Sequence, residues 1–144
     1  KLAEDVLDGL SPALGWPLKH WTALAPLPGG DMPGADFEAF LAGLGAAHAW
    51  VPTPLLRRYA RTYGTRATRM LGNAKSVQEL GEQVLPGLHA REIDYLRREE
   101  WAVTAEDILY RRSKLALHLP AGSETRLDAW LGSHPPAGSA TAAM

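Results

Sequence analysis

Residues 92–117 read Glu92-Ile93-Asp94-Tyr95-Leu96-Arg97-Arg98-Glu99-Glu100-Trp101-Ala102-Val103-Thr104-Ala105-Glu106-Asp107-Ile108-Leu109-Tyr110-Arg111-Arg112-Ser113-Lys114-Leu115-Ala116-Leu117, and two helices are written into them. Ile93, Leu96 and Val103 form one apolar stripe; Ile108, Leu109, Leu115 and Ala116 form a second. Both recur at helical spacing. The first helix is expected over 90–100. Thr104 caps the next, with Asp107 in a capping-box-like position. That helix is expected to run to about Leu119, where Pro120 helps to end it.

The rest of the chain follows the same pattern. Phe37, Phe40, Leu41 and Leu44 make an amphipathic stripe over 35–50. Thr53-Pro54 opens another helix, with Thr53 as cap and Pro54 in its first turn. Its buried side is Leu55, Leu56, Tyr59, Ala60 and Tyr63, and Gly64 stops it. A short helix follows around Arg66–Leu71, closed by Gly72-Asn73. Residues 73–89 are mixed, broken at Pro86-Gly87. Ser123 caps a last helix bearing Leu127, Trp130 and Leu131. The 144 residues hold 23 Ala and 22 Leu against 5 Val and 2 Ile, a bias toward helix. The expected fold is all-α: a bundle of five to six short helices over 35–132, behind an irregular strap over 11–34 rich in Pro and Gly. Residues 1–10, with Leu2, Val6 and Leu10 on one face, read as the end of a helix that starts in a preceding part. Residues 133–144 read as a disordered tail.

Composition removes several functions. The net charge of −1 gives no basic face for nucleic acid. Without cysteine there is no disulfide framework, thiolate metal site or thiol nucleophile. No apolar run approaches the roughly 20 residues of a membrane span. His20, His48, His89, His118 and His134 never share a helix at ligand spacing, so no metal site is expected. Gly29-Gly30 lacks a preceding strand and the glycine pattern of a dinucleotide fingerprint, and reads as a turn.

Three features remain. Arg57, Arg58, Arg61, Arg66 and Arg69 lie together with no acid between them: either a patch for an anion or partner, or a solvated face balanced by acids elsewhere. Glu100 and Arg112 each sit on the apolar stripe of their helix, so they are expected to pair as a structural clasp. Asp107 and Arg111 are spaced for a surface pair. Tyr59, Tyr63, Tyr95, Trp101 and Trp130 are expected in the core. Trp16 and Trp21 fall in the strap, as anchors to this domain or another. No catalytic, cofactor-binding or metal-binding residue is assigned.

The run over 92–117 resembles the C-terminal helical domain of FAD-dependent glycerol-3-phosphate dehydrogenases. The pattern is a Glu and a Tyr three apart, a second Glu, then Thr, Asp and a double Arg before a small residue, Lys and an aliphatic run. Leu27-Pro28-Gly29-Gly30, Arg58-Tyr59-Ala60-Arg61-Thr62-Tyr63-Gly64-Thr65 and Leu71-Gly72-Asn73-Ala74 match in order, and Lys1-Leu2-Ala3-Glu4 is similar to the end of the family's catalytic part. Ser113 and Ala116 stand where the pattern has Thr and Gly. The resemblance implies a parent enzyme that oxidises sn-glycerol 3-phosphate to dihydroxyacetone phosphate. Electrons would pass by FAD to a membrane quinone, with flavin and substrate held ahead of Lys1. The parent would be cytoplasmic and peripheral to the inner membrane. The chain itself is then a non-catalytic domain that packs on the FAD domain or aids assembly. Its partner is that domain, or a second copy through residues 1–27; nucleic acid is not one. The rival expectation is a free-standing helical interaction or regulatory module.

Overall fold

Asp36 opens the central bundle by accepting the Ala39 amide at 2.9 Å, an N-cap that starts α2 (Phe37–Ala47). Helix α3 (Thr53–Tyr63) lies against it. The computed structural model describes residues 2–16 and 20–135. Its other helices are α1 (Leu2–Leu14), α4 (Ala67–Leu71), α5 (Ala90–Glu99) and α6 (Ser123–Ser133). Between α4 and α5 two short antiparallel strands, β1 (Gln83–Leu85) and β2 (Leu88–His89), form a hairpin about Pro86-Gly87. The all-α expectation did not include it. The core lies where α3, α4 and α5 meet the hairpin and α6, with Tyr59, Tyr95, Leu71, Leu88, Ile93 and Leu127 essentially inaccessible.

Several local expectations are corrected. Helix α1 runs past Pro12 to Leu14, because the one backbone bond that proline forfeits falls in its last turn. Pro52, not Thr53, sits at the N-cap of α3, and Thr53 and Pro54 fill the first turn, where proline forfeits no intrahelical hydrogen bond. Ser123 does not cap α6. Gly122 holds that position in the left-handed region, and the Ser123 hydroxyl donates to the Pro120 carbonyl at 2.8 Å.

The Thr104–Asp107 box is formed in both directions, with the Thr104 amide to Asp107 at 3.0 Å and the Asp107 amide to the Thr104 hydroxyl at 3.1 Å. Its helix does not reach Leu119. Asp107–Arg112 is a π-helical segment, in which the Ser113 amide reaches back to the Ile108 carbonyl at 3.0 Å. Lys114 then takes φ +59°, and Leu115–Leu117 is a separate 3₁₀ turn that leaves Leu117 76% exposed. Trp101 is also outside the core. Helix α5 stops short of it, Trp101 adopts φ +53°, and its side chain is 81% exposed beside an equally exposed Val103.

The strap is held in two places. Glu4 of α1 accepts the Trp21 and Thr22 amides at 3.1 Å each, and His20 lies between Glu4 and Asp8. Hydrogen bonds from Thr22, side chain and then backbone, hold the Glu4 carboxyl down at about 2. Further on, Leu27–Gly30 closes a turn with Pro28 second and Gly29 third, at φ +87°. The Gly29 carbonyl accepts the Thr65 amide at 3.0 Å. Gly29 and Gly64 touch backbone to backbone, and a Cβ on either would overlap the other segment. No residue of α1 is buried. Of the expected tail, Ser133 ends α6 and residues 136–144 lie outside the described residues, as do Lys1 and residues 17–19.

Gly64 has φ 54° and ψ −136°, a conformation open essentially to glycine. Gly64→Ala is therefore expected to destabilise the fold by about 3 kcal/mol. Gly43→Ala, in open space inside α2, should stabilise it by about 0.5 kcal/mol. Urea midpoints measure both, and equal midpoints would contradict the glycine contact.

Candidate functional site

Arg58 lies in α3 next to the core residue Tyr59, and its side chain, folded over the Tyr59 ring, is only 21% exposed. Its guanidinium therefore points inward and must find an acceptor there. Glu92, in the first turn of α5, supplies one. Arg58 Nη1 and Nη2 donate to the two Glu92 oxygens at 2.7 and 2.6 Å, and Nη2 also donates to the Gly87 carbonyl at 2.6 Å. Tyr63 donates its hydroxyl to the same carboxylate at 2.5 Å. Glu92 is 0% exposed, and the Arg58 guanidinium carbon lies 4.6 Å from the centre of the Tyr59 ring. The cluster ties α3 to α5 and to the hairpin turn.

Burial sets the titration of the surrounding groups. Both Tyr59 and Tyr63 are raised, first by loss of water and then by the Glu92 charge, so they remain neutral. His89 and His48 are lowered, again chiefly by burial. His89 Nδ1 has no hydrogen-bond partner, so a second ring proton would be buried without an acceptor. The Glu92 carboxylate is engaged by two side chains and closed to solvent. It is built to hold helices together and offers no face to a substrate.

The arginine cluster does not form one patch. Arg57 meets Glu38 through two donors at 3.1 and 3.0 Å, Arg66 meets Glu100 at 3.3 Å, and Arg69 meets Glu99 at 3.0 Å. Arg61 lies over the Phe37 ring at 5.5 Å. Asp107 and Arg111 are 2.7 Å apart, with Glu106 also on Arg111 at 2.9 Å. Glu100 and Arg112 do pair, at 3.9 Å, but outside the core: both are partly exposed, Glu100 also meets Arg66, and α5 ends before Glu100.

The clasp residue missed from the sequence is Glu92. Its signal was present: Glu92 lies three before Tyr95 and four before Leu96, which are buried. Arg91 was also missed. It ties α4 to the chain before β1 by donating to the Leu71 carbonyl at 2.9 Å and the Glu79 carbonyl at 3.3 Å.

These elements define an auxiliary helical domain closed on a buried ion pair. Residues 21–129 match the family described as the C-terminal domain of alpha-glycerophosphate oxidase, and the chain belongs to that family. It is 46% identical over 136 residues to a glycerol-3-phosphate dehydrogenase of Pseudomonas aeruginosa, covering 94% of this chain and 26% of that protein. It is 37% identical over 131 residues to the aerobic glycerol-3-phosphate dehydrogenase of Escherichia coli, covering 91% and 26%. A D-erythritol 1-phosphate dehydrogenase of Brucella abortus is 41% identical over 110 residues, covering 76% and 22%. The chain thus spans about a quarter of the length of these relatives, and it corresponds to their C-terminal domain.

Replacing Glu92 alone by Leu should cost about 3–5 kcal/mol, since Arg58 is left buried and unpaired. The double change Arg58→Met/Glu92→Leu should cost much less. Additive losses in urea unfolding would contradict the clasp. His89 and His48 give a separate pH window. Their folded values lie below the unfolded value of about 6.5, so the unfolded state binds more protons there. Stability is full above about pH 6.5 and falls as pH drops below it. His89→Asn should flatten that fall, and an unchanged slope would count against it.

Proposed function

We propose that this chain is the C-terminal accessory domain of an FAD-dependent sn-glycerol-3-phosphate dehydrogenase that yields dihydroxyacetone phosphate and passes electrons to a quinone. The observation that carries the reading is the family match over residues 21–129, with relatives of that activity on both sides of 40% identity. The Brucella abortus relative, which acts on erythritol phosphate by its name, falls between them in identity. The sequence of this domain therefore follows the enzyme class and does not separate one polyol phosphate from another.

The described residues do not fit a flavin cradle. No strand leads into Gly29-Gly30, and β1 and β2 only form a hairpin. When bound to the parent enzyme, FAD supplies hydride acceptance, and in this reading it is held outside this chain. The domain's own part is to pack on the flavoprotein part through α1 and the strap. Leu2, Val6 and Leu10 make an uncovered helix face, and Trp16 and Trp21 are also exposed. The parent works in the cytoplasm, peripherally on the inner membrane.

The test uses the complete enzyme. It should bind FAD and reduce a soluble quinone analogue with glycerol 3-phosphate, in preference to D-erythritol 1-phosphate, and sediment partly with inner membranes. Deleting residues 2–27 in the full chain should release the domain from the flavoprotein part. Turnover of erythritol phosphate alone, or of neither substrate, would overturn the reading.

A further inference from the structure

Of the five arginines between 57 and 69, four meet carboxylates. Arg61 has no hydrogen bond or ion pair among the described residues, and its guanidinium lies over the Phe37 ring. The nearby carboxylate of Glu38 is already taken by both Nη groups of Arg57. Arg61 lines a groove of about 560 Å3 between the Leu27–Gly30 turn and the C-terminal half of α3. Leu27, Met32 and Phe37 give it apolar walls, and Leu27 is 81% exposed. The floor is the contact of Gly29 with Gly64, locked by the Thr65 amide on the Gly29 carbonyl. Neither glycine puts a side chain into the space, and the Met32 side chain reaches the Gly64 end of the groove.

We infer that this groove seats an acidic, apolar segment of the flavoprotein part of the same polypeptide, with a carboxylate on Arg61 and an apolar side chain against Leu27, Met32 and Phe37. This rests on the function proposed above. Charge selects the occupant. An exposed guanidinium at the edge of an apolar trough accepts an anion that brings its own apolar body, and a neutral or basic segment would leave it unpaired. Size limits the contact to two or three side chains, an anchor within a larger interface. The strap leading into the turn adds exposed apolar surface beside the groove's turn, with Leu24 at 93% and Trp21 at 65% exposed. The source is available: about three quarters of the length of the relatives lies outside the region this chain matches.

The experiment uses the full-length enzyme, with a benzophenone amino acid at position 27 and, separately, Arg61→Glu, Arg61→Met and Arg61→Lys. The photoproduct should join position 27 to a flavoprotein peptide containing Asp or Glu. Amide exchange over 27–37 should quicken at least tenfold in Arg61→Glu and several-fold in Arg61→Met, which keeps a stem over Phe37. Arg61→Lys should stay near wild type. Because Arg61 is exposed, all three variants should retain wild-type exchange in α5. Reversing the charge of the cross-linked acid should rescue Arg61→Glu. Unchanged exchange over 27–37 in Arg61→Glu would overturn the inference, as would a cross-link to a second copy or to lipid only. If the wild type lacks glycerol 3-phosphate oxidation yet the cross-link forms, the function proposed above fails and the anchor stands. If oxidation is normal and position 27 meets no acidic flavoprotein peptide, the anchor alone fails.

Discussion

Glu92 carries its charge into the least accessible part of the domain, and the fold has to answer it. A lone carboxylate there would cost several kcal/mol. Arg58 and Tyr63 surround it, and the Gly87 carbonyl takes a further donor of Arg58. They come from three places in the chain: Arg58 and Tyr63 from α3, Gly87 from the hairpin turn, Glu92 from α5. The pair satisfies its charges only when those three pieces are in register. It therefore contributes more to the choice of arrangement than to net stability, which apolar burial of residues such as Tyr59, Leu88 and Ile93 supplies.

The strap depends on the end of the same helix. Tyr63 gives its hydroxyl to Glu92, and Gly64 follows it with a backbone that a side chain would block. That absence of a Cβ admits the Gly29 backbone. The clasp and the docking of the strap are thus adjacent consequences of one stretch, residues 58–65. An apolar surface results that the domain does not cover itself: α1, Trp21, Leu24 and Leu27. Its extent fits a part whose work is to be held against a larger protein.

Much of this was legible in the sequence. The stripes of α2, α3 and α5 and the Thr104–Asp107 box all appear near their expected places, because local spacing and capping decide them. What was misread depends on phase or on partners far along the chain. Glu100 does pair with Arg112, but α5 ends one residue before Glu100, so the pair stands partly exposed instead of between two inner helix faces. Glu92 finds Arg58 thirty-four residues earlier, and no local pattern announces that partner. Trp101 reads as core because it lies beside the stripe of Leu96 and Val103, whereas the chain turns out at a positive φ. The hairpin is so short that it holds one β-branched residue, Val84, which reads equally as a packing residue.

This domain is one part of a larger protein and is closed by its own clasp, and in the function proposed above α1 and the strap belong to the interface. A structure of the complete enzyme tests it most directly. The account predicts that residues 35–133 keep their arrangement, Arg58–Glu92 included, while Leu2, Val6 and Leu10 of α1, with Trp21 and Leu24, become buried against the flavoprotein part. An enzyme in which those side chains stay in solvent, or in which Glu92 leaves Arg58 to face the substrate, would contradict it.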